Sequence, residues 1–206
     1  GWEPIFDVPA TLGIESAVQF LEFALLGVLG GLVAATLPSI FYGTRDLFQR
    51  VPVPPHIKPA IGGLLVGLMA LELPQVLGGG YGWIQLAMDG QLSAALLATL
   101  VFAKIVAMAL TVGSGGSGGV FAPTLFSGAM LGGVLASVFN QPPTAFVLVG
   151  MAAVFSGAAR IPLATMFMVT EMTGGYRLLP LAALVVAISY LTQVTATQRL
   201  KYRSLY

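Results

Sequence analysis

The stretch "VGSGGSGGVFAPTLFSGAMLGG", residues 112 to 133, combines a Gly/Ser run with an immediate apolar helix-forming segment. A helix that starts there leaves its first N–H groups without intrahelical acceptors, at the partly positive end of its dipole. Such an end is a site for an anion. Gly115, Gly116, Gly118 and Gly119 carry no side chains to block close approach and can take backbone angles closed to other residues. Pro123 has no N–H and suits the first helical turn, which leaves the amides near Val120 and Phe121 free to face a ligand. No Lys or Arg occurs in the run. An anion held by partial dipoles alone can leave again, as conduction requires. The same Gly/Ser composition also describes an ordinary surface loop; the helix that follows at once favours the anion reading.

The elements that must position this stretch belong to a membrane protein. The chain is 57% hydrophobic and 8% charged, with a mean hydropathy of +0.91. An ordinary soluble domain carries roughly 25% charged residues. No charged residue lies between Lys104 and Arg160, and the uncharged windows Phe23 to Thr44 and Leu178 to Gln198 are each long enough to span a bilayer. About 20 apolar residues make one span. The opening "GWEPIFDVPATLGIES" lacks the basic and apolar regions of a signal peptide. With no cysteine, the chain has neither disulfides nor thiolate metal sites, and a net charge of +1 gives no sign of nucleic acid binding. Arg45, Arg50 and Lys58 flank one polar break, and Arg199, Lys201 and Arg203 crowd the C-terminus. The positive-inside rule makes both cytoplasmic and turns the loop near residue 78 outward.

Residues 1–16 read as a connecting segment and 17–206 as membrane helices. Helices are expected over 17–49, rich in Gly-x-x-Gly spacing and with Pro38 expected to kink or break it; 57–71; a short interfacial piece at "GGGYGWIQLAMDG", with Tyr81 and Trp83 at headgroup level; and 91–111. Further helices are expected over Ala122–Phe139, Thr144–Ser156, Pro162–Met172, closed by Gly174 and Gly175, and Leu179–Thr195. Several are too short to cross a bilayer. Short, interrupted apolar segments mark broken helices whose ends are buried in protein or line a polar cavity.

"GSGGSGGVFAPTLFSGAMLGG" resembles the signature of the CLC family of chloride channels and chloride/proton antiporters, matching its Gly-x-Phe-x-Pro element at Gly119-Val120-Phe121-Ala122-Pro123. "LGGGYGWIQLAM", "GMAAVFSGAARIPLATMFMVTEMTGGY" and the terminal "YRSLY" follow in the family's order. The resemblance implies an all-α integral membrane fold, here the second of two inverted halves, with tilted and broken helices. It also implies a homodimer whose subunits each hold an anion pathway, with helices around 162–195 at the dimer interface. Chloride would be bound by the amides of Val120 and Phe121, within the backbone of Gly118, Gly119, Ala122 and Pro123, and by the hydroxyl of a pore tyrosine. Tyr206 matches that tyrosine through "SLY", with Tyr202 the competing candidate. The family's Gly-Ser-Gly-Ile-Pro and Gly-[Lys/Arg]-Glu-Gly-Pro elements do not occur, so an N-terminal half is expected to complete the site. No regulatory cytoplasmic domain is expected. The implied function is movement of chloride or similar small anions, as channel or antiporter, in a bacterial-type inner membrane. No enzymatic activity, metal or cofactor is expected.

A different secondary transporter and a non-transporting assembly subunit are the competing functions; in the latter, the glycines serve only helix packing. Lys104, Arg160 and Glu171 lie in or beside apolar segments, where charge is costly. Structural roles are expected for them: pairing or snorkelling for Lys104, capping of helix carbonyls for Arg160, and an interfacial place for Glu171. His56 is expected at the surface and Glu22 at a helix boundary.

Overall fold

A computed structural model describes residues 17–174 and 178–205. The connecting segment 1–16, Gly175 and Tyr206 lie outside the described residues. The described chain is helical: α1 (Ala17–Arg50), α2 (Lys58–Glu72), a 3-10 turn (Pro74–Val76), α3 (Tyr81–Met88), α4 (Ala94–Gly113), α5 (Phe121–Phe139), α6 (Pro143–Ala159), α7 (Pro162–Thr173) and α8 (Leu179–Thr197). Of these, α1, α4, α5 and α8 are long and apolar enough to cross a membrane, and α6 is a shorter apolar helix.

Local chemistry sets the ends. Pro38 is accommodated within the 34-residue α1, and the proline-rich run after Arg50 stops that helix. Ser93 caps α4 by accepting from the Leu96 N–H at 3.3 Å. Pro143 and Pro162 open α6 and α7, where a missing N–H costs nothing. Asn140 (φ 52°), Arg160 (φ 58°) and Gly174 (φ 64°) close α5, α6 and α7 in the left-handed conformation. These ends make α6 longer than the expected Thr144–Ser156: the helix begins at the proline and continues to the residue before Arg160.

Burial is greatest where α5 meets α6. Every residue of α6 from Phe146 to Ala159 is buried. Gly128 and Gly132 of α5 lie so close to α6 that a Cβ on either would fall on the carbonyls of Gly150 and Phe146. In lipid, where apolar side chains gain little by leaving their surroundings, such backbone contact is a principal source of helix association. The Gly-x-x-Gly spacing of α1 serves the same end. Gly27 and Gly31 pack on α8 at Val185, Ile188 and Ser189, and Gly30 packs on Ala153 of α6.

Candidate anion site

The end of α4 and the start of α5 frame the Gly/Ser run. Two backbone bonds turn the chain: Gly115 N–H to Val112 O and Gly116 N–H to Thr111 O, both 3.0 Å. Of the four glycines expected to use unusual backbone angles, only Gly115 has positive φ, at 94°. At Gly116 the constraint is instead space, since a Cβ would lie 2.7 Å from Thr111 O. The remaining two need neither left-handed φ nor, at Gly119, any steric relief.

Val120 is the N-cap residue of α5, without a side-chain cap. The first backbone bond of the helix runs from Thr124 N–H to Val120 O at 3.2 Å. The N–H groups of Phe121 and Ala122 therefore lack intrahelical acceptors, and Pro123 has no N–H to satisfy. The nearby hydroxyls do not fill the gap. Thr124 Oγ1 donates to Val120 O at 2.6 Å and Ser127 Oγ to Pro123 O at 3.0 Å.

This helix start opens on a cavity of about 540 Å³. Gly118, Gly119, Phe121, Ala122 and Pro123 line one side; Val120 is half-buried and is not among the lining residues. Gly78 and Gly79 line the cavity as well, as does α4 through Lys104, Met108 and Thr111. Among the described residues, no aspartate or glutamate lines it.

Sequence reasoning missed the setting of Lys104. Its residue is 2% exposed. It does not snorkel, and among the described residues it pairs with no acid: Nζ donates to the carbonyls of Val76 (2.8 Å), Leu77 (3.4 Å) and Gly78 (2.8 Å) and lies 4.8 Å from the centroid of the Phe126 ring. The only available signal was a lone lysine in an apolar helix.

A second group of side chains holds the C-terminal segment. Arg160 donates from Nε to Gln193 Oε1 (3.1 Å) and from Nη2 to Thr197 Oγ1 (2.9 Å) and Arg203 O (2.8 Å). Gln193 Nε2 donates to the same Arg203 carbonyl at 2.7 Å. Leu205 N–H reaches Ala158 O at 3.1 Å, and Tyr42 donates its hydroxyl to Leu205 O at 3.2 Å. Arg160 thus closes α6 by its own backbone while its guanidinium ties the terminal segment to α8. The expected capping is made by its backbone, whose N–H donates to Ser156 O of α6 at 2.9 Å.

Tyr202 belongs to this clasp. Its hydroxyl donates to Asp46 and its ring stacks on Tyr42 with centroids 4.8 Å apart. A phenol has one proton to donate, so this arrangement commits it to Asp46. Lys201 donates to the same carboxylate at 3.2 Å. Its hydrogen bond with Tyr202, and then that with Asp46, holds the Lys201 ammonium above its ordinary pKa. Tyr206, the other candidate, follows the pinned Leu205 but lies outside the described residues. His56 and Glu171 are exposed, and Glu22 is half-buried near the start of α1. Among the described residues, no cluster of His, Cys, Asp or Glu is suited to a metal ion.

The family model described as voltage gated chloride channel matches residues 1–194. The voltage-gated ClC-type chloride channel ClcB of Salmonella typhimurium is 33% identical over 192 residues, covering 89% of this chain and 46% of that protein. Chloride channel protein CLC-f of Arabidopsis thaliana is 34% identical over 201 residues, covering 87% of this chain and 26% of that protein. Among solved structures, a slow cyanobacterial Cl⁻/H⁺ antiporter superposes with a TM-score of 0.84 at 21% identity, covering 98% of this chain and 49% of its own. A CLC-type fluoride/proton antiporter gives 0.78 at 25% identity, with 90% and 46% covered. The chain spans about half the length of the ClcB relative it matches.

Proposed function

The chain belongs to the voltage-gated chloride channel family, and on that premise we propose that it carries chloride, or a similar small inorganic anion, across a membrane. One observation carries the proposal: the uncapped start of α5 faces a cavity that, among the described residues, no carboxylate lines. Free amides at a helix start attract an anion through partial charges, strongly enough to replace part of its hydration and weakly enough to release it.

In this reading the amides of Val120 and Phe121 bind the ion, and Gly118, Gly119, Ala122 and Pro123 shape the approach. The hydroxyl of Tyr206 donates to the same ion. The Arg160 and Gln193 clasp sets where the chain enters that last residue, and the use of Tyr202 by Asp46 supports Tyr206 over it. An N-terminal half completes the site, and two copies form a homodimer in a bacterial-type inner membrane with the C-terminus in the cytoplasm. The anion itself is the only small ligand the proposal requires. The packing-only alternative is disfavoured at Gly119, where no atom of the described residues lies within 4 Å of an added Cβ.

The test is chloride efflux from liposomes, with valinomycin clearing the voltage and a pH electrode alongside. The chain is tested alone and together with an N-terminal half from a ClcB relative. Efflux is expected with both halves, slowed about tenfold by Tyr206→Phe, the scale of losing one hydrogen bond to an ion. Proton movement coupled to chloride identifies an antiporter and its absence a channel. Well-folded protein that passes no chloride in either preparation refutes the reading.

A further inference from the structure

Lys104 is a buried cation without a carboxylate partner among the described residues, where the one ion pair is Lys201 with Asp46. Three carbonyl oxygens lie within 3.4 Å of its Nζ. An ammonium has three N–H groups to meet them, whereas a neutral amine has two and a lone pair that would face an acceptor. The arrangement therefore suits the charged form. The carbonyls solvate that charge without cancelling it.

The position matters as much as the charge. The three acceptors belong to the end of the 3-10 turn and the glycine loop after it, and Gly78 and Gly79 are wall residues of the same cavity that receives Gly118, Gly119 and Phe121. Beneath Nζ, the Phe126 ring comes from α5, the helix whose start faces the cavity. Gly80 closes on that ring so tightly that a Cβ would collide with it. Lys104 thus joins three pieces of wall, and all its donors are occupied in doing so.

We propose that Lys104 is the fixed positive charge of the anion cavity, a positioning residue that holds the Gly78–Gly79 wall and raises anion occupancy at the α5 amides without ligating the ion. The proposal rests on the anion reading above and adds the source of the cavity's net charge. Unlike partial dipoles, a full charge in a poorly screened wall acts over several ångströms. A removable ion then balances a lysine that has no carboxylate partner among the described residues.

The experiment must separate charge from shape. Met108 lies one turn beyond Lys104 and also lines the cavity, so Met108→Glu places a carboxylate near the ammonium while sparing its carbonyl bonds. Met108→Gln is the matched control. Chloride is titrated calorimetrically into the purified chain co-reconstituted with the N-terminal half, for the wild type, both Met108 variants, Lys104→Arg and Lys104→Met.

Expected are chloride binding by the wild type, a Kd about tenfold weaker in Met108→Glu than in Met108→Gln, and Lys104→Arg within about threefold of wild type. Equal affinities for the two Met108 variants overturn the proposal even if Lys104→Met does not fold. Wild-type affinity in folded Lys104→Met also overturns it. If both disagreements occur while the wild type binds chloride, only the role of Lys104 falls. A folded wild type that binds no chloride instead removes the anion reading on which the proposal rests.

Discussion

Two groups of glycines in one chain do different work. Where α5 crosses α6, Gly128, Gly132 and Gly150 are buried and leave no room for a single added carbon against the facing backbone. In the loop before α5, Gly118 and Gly119 are exposed, and no described residue comes within 4 Å of a Cβ at the second. The first group lets helices touch; the second lets something else approach the helix start. Composition treats the two alike, and only the surroundings of each Cα distinguish them.

The largest expected effect is at the packed end of this comparison. Gly132→Ala drives a methyl group into the Phe146 carbonyl, which belongs to the helix buried along most of its length. Overpacking typically costs 1–3 kcal/mol, and rigid backbone on the receiving side puts this site at about 3 kcal/mol or above. Thermal unfolding followed by circular dichroism in detergent should show a fall in Tm of several degrees or loss of folded protein. An unchanged Tm would mean that α5 and α6 separate readily, and the distinction between the two groups would fail.

Gly115→Ala is the intermediate case. Among the described residues its Cβ would meet only Pro59 Cγ, at an ordinary 3.9 Å, so the expected cost comes from holding alanine at φ 94°. Left-handed backbone costs an L-residue roughly 1–2 kcal/mol. For a chain of this size that lowers Tm by about 2–8 °C. Gly115→Asn tests the cause, since asparagine tolerates such angles better and should recover part of the loss.

How far each region was legible follows from how its parts are spread along the chain. The anion loop is contiguous, so its Gly/Ser run, proline and following apolar helix could be read directly. The helices were legible for the same reason: apolar runs end at prolines, glycines or Asn140. Lys104 was visible, but its acceptors are backbone carbonyls 26 to 28 residues away, and carbonyls leave no mark in a sequence. The C-terminal clasp joins Asp46 to Lys201 and Tyr202 across more than 150 positions, and Arg160 to Arg203 across 43. No local pattern connects them. Glycine geometry fell between these cases, because a run of glycines permits unusual angles without saying which member uses one; here it is Gly115.

The smallest stability effect, and the sharpest test of the comparison, is expected for Gly119→Ala. Among the described residues nothing lies within 4 Å of the added methyl, and no positive φ is imposed, so stability should stay within about 0.5 kcal/mol of wild type. The methyl nevertheless enters the wall of the 540 Å³ cavity beside the amides of the α5 start. An anion approaching those amides has to keep them within hydrogen-bond range, and a carbon at this position offers it no donor. Chloride flux at fixed gradient, with both halves in the liposomes, should therefore fall about threefold while Tm hardly moves, a loss well under one full hydrogen bond to an ion. A parallel fall in flux and Tm would place Gly119 with the packing glycines. Unchanged flux would show that the ion does not pass this part of the wall, leaving the loop a connection between helices.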